Sequence, residues 1–211
     1  EEMPPRLYIQ NGEISEKAPE KILKEKTPDF LFLDSLHYDN TPPVDCNGNE
    51  VIYDNKKTAT LDLTKWDTVE TLFLVNSVAT TTTLGEKVTT VNLENNKVAQ
   101  TLNFNNALTA ATLGVNNVTT ASTVTVNGTA LKTLTVDASG KASNVNLTQA
   151  TIETLNITGK ANLTLDAAST LTAVKTIDGS KAEGDLKFSN TTSMTSIKTG
   201  SGNDTVTVAA N

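Results

Sequence analysis

A single cysteine, Cys46, stands in 211 residues, so no disulfide within the chain can staple the fold. The single histidine, His37, excludes a metal site made of several histidines, and the lone cysteine excludes a cysteine cluster. Aromatic residues make up 4% of the chain, so a core has to come from Leu, Val, Ile and Ala. Basic residues are the minority charge. At a net charge of −7 a nucleic-acid partner is not expected, because binding a phosphate backbone needs a basic stripe. No apolar run reaches the length of a membrane-spanning helix. There is no signal-peptide pattern, and the sequence opens on Glu1. It therefore reads as a processed chain or an excised segment of a longer one. No G-x-S-x-G elbow and no Walker-type loop occurs, so neither a serine hydrolase nor a nucleotide-phosphate site is indicated.

Proline is missing from most of the chain. All six prolines lie before residue 58, as do Tyr8, Tyr38 and Tyr53. Residues 1–57 hold 12 acidic and 7 basic residues, whereas 58–211 hold 12 and 10 and are rich in Thr, Asn, Ala, Leu and Val. The shift marks a boundary near Lys57. Residues 1–57 read as a Pro-rich, acidic cap or linker, with a short helix over 16–26, a strand over 29–36 and a loop over 38–50.

What is present beyond residue 57 is repetition. Apolar-x-apolar triplets recur at 61–63, 72–74, 91–93, 102–104, 113–115, 124–126, 134–136, 145–147, 155–157, 163–165, 186–188 and 206–208. Weaker members stand at 82–84, 175–177 and 197–199. Alternation of period two puts both apolar side chains of a triplet on one face and the middle residue, usually Thr or Asn, on the other. Every second triplet has an apolar residue three positions earlier: Val69, Leu131, Ile152, Leu171 and Met194. Gly140, Gly159, Gly179 and Gly200 keep a beat of about 20 residues, as glycines at a repeated corner would. The pattern predicts an all-β parallel solenoid, about 20 residues and two short strands per coil, with seven or so stacked coils. An antiparallel β-sandwich shares the short strand spacing, and a leucine-rich-repeat horseshoe shares the longer period. Both stay open at this point.

Candidate chemistry is sparse. TGSGNDTVT (199–207) resembles the RTX calcium nonapeptide G-G-x-G-x-D-x-U-x, with Gly200, Gly202 and Asp204 in place and Thr199 departing at the first position. In that motif, glycine turns bare backbone carbonyls and the aspartate adds a carboxylate, the hard oxygen ligands calcium takes. Asp137, Asp166, Asp178 and Asp185 fall at scattered offsets of the repeat, so no carboxylate pair for glycoside hydrolysis is expected. No catalytic residue is assigned, and the chain reads as a non-enzyme.

With these residues in view, 58–211 resembles the Thr/Asn/Ala-rich solenoid regions of bacterial surface-layer proteins that carry RTX-type repeats. The V-N-L and L-T-V triplets, the acidic balance and the GSGND turn carry the likeness. The resemblance implies a secreted, extracellular location on the cell surface, export without disulfides and ordering by calcium. It also implies lateral self-association into a lattice, in some cases held by lipopolysaccharide. An adhesin or autotransporter-like stalk that binds a host surface or glycan is the alternative.

Overall fold

The computed structural model describes residues 8–10, 13–15, 60–64, 69–119, 123–189, 191 and 193–208. The expected helix over 16–26, strand over 29–36 and loop over 38–50 lie outside these, as do His37, Cys46 and Trp66. Within 1–57, strands β1 (Tyr8–Gln10) and β2 (Glu13–Ser15) pair antiparallel as a two-stranded sheet of their own.

The remaining strands wind into an all-β parallel solenoid of about six turns, with about 22 residues and two strands per coil. One sheet stacks β4 (Thr71–Val75), β6 (Thr90–Glu94), β8 (Ala110–Asn116), β10 (Thr133–Ala138), β12 (Thr154–Gly159), β15 (Thr176–Ala182) and β17 (Ser196–Lys198). The other stacks β3 (Thr60–Asp62), β5 (Thr81–Thr83), β7 (Gln100–Asn103), β9 (Thr123–Asn127), β11 (Ser143–Gln149), β13 (Leu163–Leu165), β16 (Leu186–Ser189) and β18 (Thr205–Thr207). A short extra strand, β14 (Thr170–Leu171), pairs with the C-terminal end of β11. We call these the first and second sheets. Neighbouring strands in both run parallel, which removes the antiparallel sandwich. At the strand spacing of a sheet the stack is roughly 29 Å long.

Every triplet read from the sequence overlaps a strand, and burial alternates as the triplets do except in the last, where Val208 lies past β18 and is exposed. In β11 the pattern is strict: Ser143, Val145, Leu147 and Gln149 point inward and the residues between them outward. Inward residues stack coil on coil. Ala111, Leu134, Leu155, Ile177 and Ile197 form one column in the first sheet, and Leu72, Val91, Leu113, Val136 and Ile157 form the next. No single coil could bury such a face; each buries it against its neighbours. The apolar residue three positions ahead of a first-sheet triplet is the buried knob of the turn into that strand. Val69, Val88, Leu131, Ile152 and Val174 fill this place with no exposure. Leu171, assigned to that set from its spacing, lies instead in β14, and Val174 takes the position ahead of Ile177.

The period differs from the expected 20 residues for a local reason. Thr71 pairs with Thr90, yet Ala110 pairs with Thr133, so corner length varies while strand register holds. The four glycines that set the beat do not share one role. Gly140 and Gly159 sit at the corner leaving the first sheet with φ of 60° and 101°. Gly179 lies inside β15, where the pairing with β12 slips register.

The same corner in the earlier coils is made by Asn76, Asn95 and Asn117, at φ of 51°, 53° and 56°. Left-handed backbone is open to glycine and, among the others, most readily to asparagine. Coil-to-coil bonds lock the corner: Asn76 N–H donates to Glu94 O (2.9 Å), and Asn95 N–H donates to Asn116 O (2.9 Å). Asn117 Nδ2 donates to Asn95 Oδ1 (2.7 Å).

Candidate functional site

With the core filled by aliphatic columns, chemistry that faces the outside has to come from outward strand residues, corners and coil ends. In the second sheet, the register brings Thr60, Thr81, Thr101, Thr125, Thr148 and Thr170 into one continuous column. Within β5, β7, β9, β11, β13 and β14 every outward strand residue is Thr or Asn, and Asp166 stands between β13 and β14. Side chains bond across coils here: Asn127 Nδ2 donates to Asn103 Oδ1 (2.8 Å), and Asn146 Nδ2 to Thr123 Oγ1 (3.2 Å). β-branched threonine suits this pleated, half-exposed surface.

The first sheet presents a different exterior. Its comparable column runs Thr71, Thr90, Thr112, Thr135 and then Asn156, Asp178 and Lys198. Glu94, Asp137 and Lys181 add further charges on that side. The Asp178 carboxylate accepts from the Ser180 hydroxyl (2.6 Å) and the Ser180 amide (3.0 Å), which hold it below the usual aspartate range. Just ahead of this sheet, Glu153 is bracketed by Lys175 (3.0 Å) and Lys132 (3.2 Å) from the adjacent coils. Hydrogen bonds from Lys175 first, then Lys132, lower its carboxyl pKa.

The calcium motif lands at the corner leaving the first sheet in the last coil, between β17 and β18. Gly200 and Gly202 both lie hard against the preceding coil. A Cβ on Gly200 would run into Ala182 O, and one on Gly202 into Gly184 O. Their being glycine thus has a packing cause. Asp204 Oδ1 accepts from Leu186 N–H (2.8 Å). One coil earlier, Asp185 Oδ1 accepts from Asn203 N–H (2.8 Å), and Asn162 Oδ1 accepts from Asp185 N–H (2.9 Å). Carboxylate and amide oxygens at this corner therefore rivet each coil to the next. Calcium takes six to eight oxygen ligands. Gly200, Gly202 and Asp204 bring one carboxylate, with one oxygen already committed, and do not make a complete shell. Among the described residues no three His, Cys, Asp or Glu side chains gather as a metal-holding group.

The scattered acids stay apart in kind as well as in sequence. Asp137 and Asp178 lie on the exterior of the first sheet, Asp166 caps a turn by accepting from Ala168 N–H (2.9 Å), and Asp185 belongs to the corner just described. A groove of about 500 Å³ opens where β5, β7 and β9 end, lined by Thr64, Thr83, Asn103, Asn105 and Asn127 over Leu84 and Phe104. The spacing of triplets foretold the strands, but nothing in it marked this groove or the asymmetry between the two exteriors. Both depend on which strands share a sheet. No family model, curated protein or solved structure matches the chain.

Proposed function

We propose that the chain is a structural module of a self-assembling layer on the outside of a bacterial cell. The observation that carries this reading is an exterior of long, in-register Thr and Asn columns around a core packed with aliphatic side chains. Such a body offers regular surface rather than a reactive pocket, and identical surfaces repeat wherever copies meet. The likeness of 58–211 to surface-layer solenoids supports the same reading. So does the structural use made of Asp185 and Asp204, which bond to backbone amides of neighbouring coils. Calcium belongs to the proposal only with further oxygen ligands from outside Gly200, Gly202 and Asp204.

The test is direct. Purified protein is raised in concentration with calcium and, separately, with a chelator, and followed by sedimentation and negative-stain microscopy. Ordered sheets or fibres are expected. A chain that stays strictly monomeric in both conditions overturns the reading. The groove at the ends of β5, β7 and β9 favours one second reading, a stalk that binds glycan, since its lining of asparagine amides and threonine hydroxyls suits sugar hydroxyls. That reading predicts glycan binding by a monomer.

A further inference from the structure

We infer that the outer face of the second sheet is the surface through which two copies of this chain meet, face to face. The inference rests on the proposal of self-assembly and says which surface performs it.

Charge distribution carries the argument. The chain has a net charge of −7, so two copies repel at long range, and close approach is cheapest where neither brings a charge. Across β5, β7, β9, β11, β13 and β14 the outward residues are all uncharged Thr or Asn. Charges flank this patch along the same sheet: Asp62 at the end of β3 and Lys187 in β16. The first sheet could not play this part as well, because Glu94, Asp137, Asp178, Lys181 and Lys198 interrupt it. Asp166 stands between β13 and β14 with its amide on Val145 O, so the charge-free part of the face is that of β5, β7, β9 and β11, bounded by Asp62 and Asp166; on an acidic chain this stretch singles the face out.

The chemistry of the face suits its own copy. Threonine hydroxyls both donate and accept, as do asparagine amides, so a face of this composition is self-complementary. A two-fold contact requires that property, because the same patch stands on both sides. Side chains stand in rows fixed by strand register, with β-branched rotamers already restricted, so little freedom is lost on contact.

Area sets the strength. The four coils of β5, β7, β9 and β11 at sheet spacing and about five residues of strand give roughly 300 Å² per copy. The pair buries about 600 Å², below the ~1,200 Å² of ordinary stable complexes. One such contact is weak alone. Its strength comes from repetition, where each copy is already held by others.

The test uses the full chain and two matched variants. Thr101→Lys with Thr125→Lys places two ammonium groups in the central column of the second sheet. Thr112→Lys with Thr135→Lys makes the same change in the first sheet. Both variants lower the magnitude of the net charge by the same amount, so general repulsion would make both associate more readily. The inference expects opposite behaviour: the second-sheet variant needs at least about tenfold more protein for half-association, while the first-sheet variant does not. Circular dichroism and unfolding midpoints show that both variants are folded. A short bis-maleimide should also join two copies through Thr125→Cys in a Cys46→Ser background, because stacked sheet faces lie about 10 Å apart.

Assembly that is equal in the two variants overturns the inference and leaves the self-assembly reading standing. A wild-type chain that never associates overturns both. A monomer that binds polysaccharide, and loses that binding in the second-sheet variant, also overturns the inference and makes the face a glycan platform.

Discussion

Replacing the buried Thr82 by valine should stabilise the protein, although it removes a polar group from a polar-rich chain. Thr82 is the middle residue of β5 and has no solvent exposure. It points inward, in register between Leu61 and Leu102. Among the described residues its hydroxyl oxygen has no hydrogen-bond partner. An unmet buried hydroxyl costs about 1–3 kcal/mol relative to its state in water. Valine keeps the β-branched shape and the restricted rotamer, and puts a methyl group against the two leucines. The expected gain is about 1–2 kcal/mol at this coil. Thr82→Ala keeps the relief but opens a cavity, so it should be less stable than Thr82→Val. Thr81→Val, one residue away on the exterior, should move stability by less than about 0.5 kcal/mol. Urea unfolding gives the order of the variants. Amide exchange in β5 and β7 shows whether the effect is local, as nearest-neighbour coupling between coils requires. A midpoint for Thr82→Val at or below that of the parent chain would refute the reasoning, since it would mean the hydroxyl is satisfied in the folded protein.

Gly159→Ala should destabilise by about 2 kcal/mol or more, because Gly159 has φ of 101° and a Cβ there would strike Ala138 O; thermal unfolding reads the loss. Asn95→Ala should cost about 1–2 kcal/mol more than Asn95→Gly in the same assay, because only alanine is penalised at φ of 53° while both lose the bond from Asn117. Glu153 should titrate below an ordinary glutamate by carboxyl NMR, since Lys175 and Lys132 favour its charged form. Its folded pKa is depressed, so its stabilising contribution is present above the unfolded value of about 4.3 and disappears as pH falls through the folded value. Glu153→Gln should remove that acid dependence, and high salt should shrink it.

Much of the solenoid was legible because its signal is local. A triplet such as Leu134-Thr135-Val136 fixes two inward side chains and one outward, and no tertiary context is needed to see it. Leu131, three residues ahead, marks the turn for the same reason. The corner out of the first sheet was only half legible. Gly140 and Gly159 announced it, but Asn76, Asn95 and Asn117 do the same backbone work and were hidden in a chain full of asparagine. Gly179 misled the period because its spacing fits while its place, a slipped register in β15, does not. That outward Thr and Asn would form rows was legible from the middle residues of the triplets, but the difference between the two exteriors was not. That Thr101 stands beside Thr125 and Thr148 follows from coil lengths that vary, and those are set by packing at corners, not by the triplets. The 199–207 motif was found in sequence, yet close approach of Gly200 to Ala182 accounts for its glycine as well as an ion would.

Coils that differ in length while their strands keep register have a practical consequence. The excess residues are looped out at the bends, leaving the pleated walls unchanged. A bend such as Asn105–Leu108, closed by Leu108 N–H on Asn105 O (3.0 Å), is therefore a place where a foreign peptide could be spliced in and carried on the flank. Splices at the equivalent bends of successive coils would stand one above another at the pitch of the winding, giving a graduated mount for epitopes or enzymes.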